Sequence, residues 1–223
     1  MCVSETGIPE ASGKVNACID DDCGVLSFPL DFLMIDIDQV IADLGTKLVD
    51  LSKSFGQDYK LAEYLPTWIP NDMWESEDLY SDIDVIPDAK EFLHYWESIG
   101  LLFPLVTARP HKLQKLTISW LVKNGIPFKT VFFEPYPFWR LRYKVSHFLV
   151  DDRPYKLPPD YQGPEIIKVK YPYNKNGDCV LEIFSLLELN GLVRMLLEET
   201  DLYTGKYSSK VKKWLEEKNS AVS

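Results

Sequence analysis

The chain has 223 residues, 46% of them hydrophobic and 26% charged, and 34 acidic against 24 basic side chains leave a net charge of −10. That is the length of one domain with room for an insertion. It is too apolar for a disordered chain and too interrupted by charge for the run of about 20 apolar residues that a membrane helix needs. The acidic balance argues against coating nucleic acid, which wants a basic face, but leaves room for a local positive pocket that takes a small phosphorylated ligand.

Residues 1–30 are polar and mixed and read as an N-terminal extension. Within them Asp20–Asp22 are either a cation-binding run or, more commonly for such runs, a solvated turn. Cys2, Cys18, Cys23 and Cys179 with three scattered histidines do not assemble the four ligands of a structural zinc. Reduced thiols are therefore expected. No basic region followed by an apolar run opens the sequence, and a cytoplasmic, reducing setting is expected.

The first strong element is Phe32-Leu-Met-Ile-Asp36, a short apolar run ending in a carboxylate. Strands buried on both faces of a parallel sheet read this way. From residue 45 to 84 the texture changes to helix-like spacing at Leu48, Val49 and Leu51 and a series of aromatics, which reads as a small helical insertion. Pro87 and Gly100 bracket a helix with Phe92, Leu93, Trp96 and Ile99 on one face. Leu101 to Val106 is a second strand, and His111 to Lys123 a helix stopped by Asn124-Gly125. Thr130 to Phe133, Phe148 to Asp151 and Ile166 to Lys170 are three more strands. Gly191 to Glu199 is a last core helix, and residues 203–223 form an amphipathic tail around Val211 and Trp214. Strands alternating with helices predict an α/β protein, a parallel sheet with helices on both faces. Its core would span 31–44 and 85–202.

In such sheets ligands bind at the carboxyl ends of the strands, and the distinctive polar residues fall there. Asp36 and Asp38 can divide labour between attack on an electrophile and proton transfer, since like charges in one pocket push two pKa values apart; alone, an Asp-x-Asp is more often a surface turn. Asp151-Asp152 ends a second apolar strand. Four acids converging would repel one another, so the joint pattern implies a divalent cation, and carboxylate oxygens suit Mg2+. Thr107, with the N–H groups that follow it from Ala108, can bind phosphate oxygens; Thr is also simply a common strand-end residue. Lys144 is placed to neutralise phosphate, with Arg140 and Arg142 as rivals and a surface lysine as the plain alternative. Arg109 and Arg153 are candidates for binding substrate or locking their loops.

These segments resemble, in order, the four motifs of the haloacid dehalogenase superfamily: Met34-Ile-Asp36-Ile-Asp38, Leu105-Val-Thr107, Lys144, and Phe148-Leu-Val-Asp151-Asp152. The resemblance runs from about Phe32 to Asn174 and implies a Rossmann-like core. It implies Asp36 as nucleophile through an aspartyl-phosphate, Asp38 as general acid and base, and Thr107, Ala108 and Lys144 on the phosphoryl group. It places Mg2+ among Asp36, the Ile37 carbonyl, Asp38, Asp151 and Asp152. Gln39 departs from the glycine most members carry there. Asp38-Gln-Val-Ile-Ala-Asp43, Thr107-Ala-Arg-Pro, Asp151-Asp-Arg-Pro154 and Pro172-Tyr-Asn174 are similar to the 5′(3′)-deoxyribonucleotidase family, in which the insertion is a helical cap. Tyr64, Trp68 and Trp74 would either stack on a base or simply pack the cap.

The expectation is thus a Mg2+-dependent phosphomonoesterase acting on a small phosphorylated substrate, a nucleoside monophosphate first. A polynucleotide 3′-phosphatase, a sugar phosphatase and a silent binding module of the same fold are the alternatives. No membrane partner is expected, and a homodimer is compatible with the sequence.

Overall fold

The structure is a computed structural model that describes residues 32–61, 63–133, 148–161, 163–201 and 206–222. The extension with Cys2, Cys18, Cys23 and Asp20–Asp22 lies outside them, as do Lys144, Arg140 and Arg142.

Six strands form one parallel sheet in the order β3-β2-β1-β4-β5-β6. They are β1 (Leu33–Asp36), β2 (Pro104–Thr107), β3 (Thr130–Phe133), β4 (Phe148–Asp151), β5 (Glu165–Val169) and β6 (Leu181–Ile183). The α/β, Rossmann-like expectation holds. β1 lies at the centre, with Ile35 opposite Leu105 of β2 on one side and Val150 of β4 on the other. The second strand starts later than its apolar run. Pro104 cannot donate to a ladder and so serves as the first residue of a strand.

Alternation along the strands separates two apolar clusters. Leu33, Ile35, Leu105, Val150 and Ile167 belong to the larger one. It takes in α1 (Leu44–Ser54), α3 (Pro87–Ser98), α4 (Gln114–Lys123), α5 (Asn190–Glu199) and α6 (Ser209–Val222) through residues such as Leu48, Phe92, Leu121, Leu192 and Val211. Met34, Val106, Leu149 and Ile166 point the other way, against Tyr155, Leu157 and Cys179. The β4–β5 and β5–β6 connections supply those three residues. These connections step across the sheet opposite to β1–β2–β3, and right-handed crossovers then fall on opposite faces.

Pro87 occupies the start of α3, where its missing N–H costs nothing. Gly100 and Gly125 end α3 and α4 with φ +88 and +64, a region that favours glycine. The amphipathic tail is α6, with Val211 and Leu215 buried on the core. Short elements escape the sequence reading. β6 is three residues long, and β7 (Thr200–Asp201) with β8 (Lys206–Tyr207) is a two-residue antiparallel pair. A 3-10 turn at His111–Leu113 precedes α4.

Between β1 and α3 the chain leaves the core and returns beside itself. Ala42 bridges Val85, the Asp43 N–H donates to the Asp84 carbonyl at 2.8 Å, and the Ile86 N–H donates to the Ile41 carbonyl at 2.8 Å. The insert holds α1, a 3-10 turn at Met73–Glu75 and one helical turn, α2 (Glu77–Tyr80). Trp120 Nε1 ties its end to the core by donating to the Ile83 carbonyl at 2.8 Å.

Candidate active site

From β1 the chain steps to β2 on one side, whereas β4 begins the other half of the sheet. The crevice at such a reversal, outside the strand carboxyl ends, is where open α/β sheets bind ligands. Asp36 and Asp151 end the two strands that flank it, and Asp152 follows directly. One carboxylate oxygen from each of these three acids lies within 4.8 Å of the others, and all three are enclosed.

The acids are held by their neighbours. Asp151 accepts from the Arg153 N–H at 2.9 Å and from the Tyr155 hydroxyl. Asp152 accepts from the Tyr173 hydroxyl, and its carbonyl takes the Asn174 amide at 2.6 Å. The same amide reaches the Val169 carbonyl at 2.7 Å. Buried Lys168 braces the loop behind, donating to the Asn174 and Gly177 carbonyls at 3.0 and 3.1 Å and pairing with Glu182 at 2.6 Å. Burial first, and then the charge of Asp151, pushes Asp36 and Asp152 well above the ordinary carboxylate range. Arg153 works against the rise at both, too weakly to cancel it. Three hard oxygen donors that repel one another fit a divalent cation such as Mg2+.

Two further groups expected at the metal have other partners. The Ile37 carbonyl accepts the N–H groups of Ile41 and Ala42 at 2.9 and 2.8 Å, which engages both its lone pairs in closing the turn after β1. The Asp38 carboxylate is not in the acidic trio; Arg109 grips it at 2.6 Å. Gln39 holds φ +61, a region that favours glycine. Here a glutamine is anchored by its contacts. Its Oε1 accepts from Gly45 N–H at 2.5 Å and its carbonyl from the Tyr171 hydroxyl at 2.9 Å.

Thr107 ends β2 beside Asp36. It is fully buried, and its Oγ1 accepts from the Arg109 N–H at 3.1 Å, leaving the hydroxyl proton to donate elsewhere. Ala108, Arg109, Asp36, Asp38, Asp152 and Arg153 form the core side of a cavity of about 820 Å³. The insert supplies the facing wall with Tyr59, Tyr64, Thr67, Ile69, Asn71 and Trp74. Of the three aromatics considered for stacking, Tyr64 and Trp74 line the cavity. Trp68 does not. Its ring packs on Phe55 and Tyr59 at 5.8 and 5.7 Å. The Arg153 guanidinium lies 5.4 Å from the Tyr64 ring, and Tyr64 meets Tyr173 at 5.7 Å.

Sequence reasoning missed Tyr155 and Tyr173 as the donors that aim Asp151 and Asp152. The only signal was position: one lies four residues after Asp151, and the other sits inside Pro172-Tyr-Asn174 after the fifth strand. Among the described residues no helix is long and apolar enough to cross a membrane.

No family model and no curated protein matches the sequence. The architecture is similar to that of a phosphonoacetaldehyde hydrolase-like protein from Oleispira antarctica, with a TM-score of 0.52 and 13% identity over 86% of this chain and 100% of that one. A HAD phosphatase from Thermococcus onnurineus aligns with a TM-score of 0.42 and 16% identity over 74% and 98% of the two chains. D,D-heptose 1.7-bisphosphate phosphatase from B. bronchiseptica, solved with magnesium and phosphate, aligns with a TM-score of 0.40 and 13% identity over 74% and 97%. At such identities the likeness is one of fold. This chain is an α/β protein of the Rossmann-like kind with an acidic trio at its topological switch point.

Proposed function

We propose that the chain is a haloacid dehalogenase-superfamily phosphatase that hydrolyses a small phosphomonoester, a nucleoside monophosphate first. The observation that carries this is the trio Asp36, Asp151 and Asp152 at the switch point, with Asp36 and Asp152 bordering the cavity and Thr107 at the neighbouring strand end. A Mg2+ held by the trio would neutralise the phosphoryl oxygens, which is most of what phosphoryl transfer asks of a protein. Asp36 attacks phosphorus in line, and the bond from phosphorus to the ester oxygen breaks. Asp38 gives that oxygen a proton, so an alcohol departs and an aspartyl-phosphate remains. Asp38 then takes a proton from water as the water attacks the same phosphorus, which releases phosphate and restores Asp36. The Thr107 hydroxyl and the Ala108 N–H hold phosphoryl oxygens meanwhile; Lys144 is proposed as their cationic partner.

The cavity supports a small substrate over a polynucleotide end, because the insert walls it on the side away from the sheet. Tyr59, Tyr64 and Trp74 offer aromatic faces, and base–aromatic stacking is worth about 1–3 kcal/mol. The test is phosphate release from nucleoside 5′- and 3′-monophosphates and sugar phosphates, with Mg2+ and with EDTA, using Asp36→Asn as control. Metal-dependent release that vanishes in the variant is the expected result. Release that persists in EDTA or in Asp36→Asn would overturn the reading.

A further inference from the structure

The sequence pattern offers Arg109 as a substrate-binding residue; its surroundings give it another task. Its side chain is 1% exposed, against 20% for Asp38. Nη2 and Nε donate to Oδ1 and Oδ2 of Asp38 at 2.6 and 3.0 Å, and Nη1 donates to Thr117 Oγ1 at 3.2 Å. The Tyr80 ring, at the end of the insert, lies 4.5 Å from the guanidinium carbon, and the Trp120 ring lies 5.9 Å from it. Tyr80 is anchored in turn, its hydroxyl donating to the Trp74 carbonyl at 3.2 Å. Burial works against the charge on Arg109, but the Asp38 carboxylate more than restores it. Both Arg109 and Asp38 border the cavity, but a guanidinium packed and bonded in this way has almost no surface left for a ligand, while Asp38 keeps a fifth of its side chain exposed.

We infer that Arg109 is a positioning residue: it fixes the Asp38 carboxylate where it meets the cavity, and through Tyr80 it ties that orientation to the seating of the insert. The inference rests on the reading of Asp38 as proton donor and acceptor, and names what holds that group in place. Both carboxylate oxygens are clamped by one planar fork, which a lysine does not reproduce. Orientation of this kind matters because a misplacement of about 1 Å costs roughly a hundredfold in rate.

The test is a double-substitution cycle in the full chain, read as kcat, KM and acid-trapped phosphoenzyme on the substrate the panel identifies. Arg109→Gln is expected to lower kcat by roughly 10²–10⁴-fold, with KM within about threefold of wild type. Combined with Asp38→Asn it should cost nothing further, because both changes remove one unit. Arg109→Lys should recover only part of the loss. Tyr80→Leu, which keeps the ion pair and removes the ring, should lower kcat by about tenfold, and it serves if Arg109→Gln does not fold. Losses that multiply in the double variant, or a KM that rises while kcat holds, would assign Arg109 to the substrate and overturn the inference. So would an Arg109→Gln enzyme that turns over like wild type. A wild-type protein silent on every phosphate ester is a separate failure: it brings down the phosphatase reading, and this inference with it.

Discussion

Replacing Asp36 by asparagine is expected to stabilise the metal-free protein while removing most of the stabilisation that Mg2+ confers. One Asp36 oxygen lies within 4.8 Å of oxygens of Asp151 and Asp152. At an effective dielectric constant of about 20, two unit charges at that distance repel by roughly 3 kcal/mol. Asp36 takes part in two of the three pairs, so with all three acids ionised its charge would carry about 7 kcal/mol at that separation. Proton uptake relieves much of this, because burial and the neighbouring acids hold Asp36 well above the ordinary range. A carboxyl whose pKa is raised by folding contributes stability that is complete below its unfolded value of about 4 and is lost as pH rises through the folded value. The melting temperature of the metal-free wild type should therefore fall as pH rises from about 4 toward neutrality. Asparagine has the same shape and no charge, and no described residue donates a hydrogen bond to the Asp36 carboxylate. A gain of about 1–3 kcal/mol near neutral pH corresponds to roughly 3–10 °C for a protein of this size. Thermal unfolding in EDTA and in Mg2+ across that pH range measures all of this. An Asp36→Asn protein that melts below wild type in EDTA at neutral pH, or gains as much from Mg2+, would refute the electrostatic argument.

Tyr173→Phe removes the hydroxyl that aims Asp152 and should weaken Mg2+ binding by about 10–100-fold, measured by calorimetry; unchanged affinity would make that hydroxyl incidental. Gly45→Ala should lower the melting temperature by several degrees, since an added Cβ would stand 2.4 Å from Gln39 Nε2 and 2.7 Å from Leu61 Cδ2. Trp74→Ala should raise KM while Trp68→Ala lowers stability and leaves KM alone, because only the first ring lines the cavity. Trp96→Ala should cost about 3–5 kcal/mol in denaturant unfolding, as it empties a fully buried site and strands the Asn190 oxygen that accepts from Trp96 Nε1 at 2.9 Å.

Much of this fold is legible in the sequence because its strands are buried on both faces. An uninterrupted apolar run such as Phe32 to Ile35 has few other readings, and the acids that close β1 and β4 mark where burial ends. Leu181–Ile183 defeats the same logic, since three residues do not make a pattern. The site divides in the same way. Asp36, Thr107, Asp151 and Asp152 announce themselves by their place at strand ends. The parts that orient them do not, because their meaning is long-range. Arg109 finds Asp38 across 71 positions, and Tyr173 reaches Asp152 across 21. The Ile37 carbonyl shows the converse: a motif names a backbone atom, and only the fold shows the hydrogen bonds that the following turn adds to it.

The return of the chain at Ala42 and Val85 has a consequence for how such a protein can change. The two stems leave the sheet as a bridged pair, with Cα atoms about 5 Å apart in pairings of this kind. Any replacement segment whose own ends meet at that spacing closes on the same pair of residues, and loop-closure entropy rises only slowly with its length. The acids that would carry the chemistry lie below the bridge, while Tyr59, Tyr64 and Trp74 lie beyond it. On the reading proposed above, substrate preference would sit largely on this exchangeable piece, and a graft would have to keep the Tyr80 contact with Arg109. A segment grafted between Ala42 and Val85 would be a way to re-aim the cavity while leaving the strand-end acids in place.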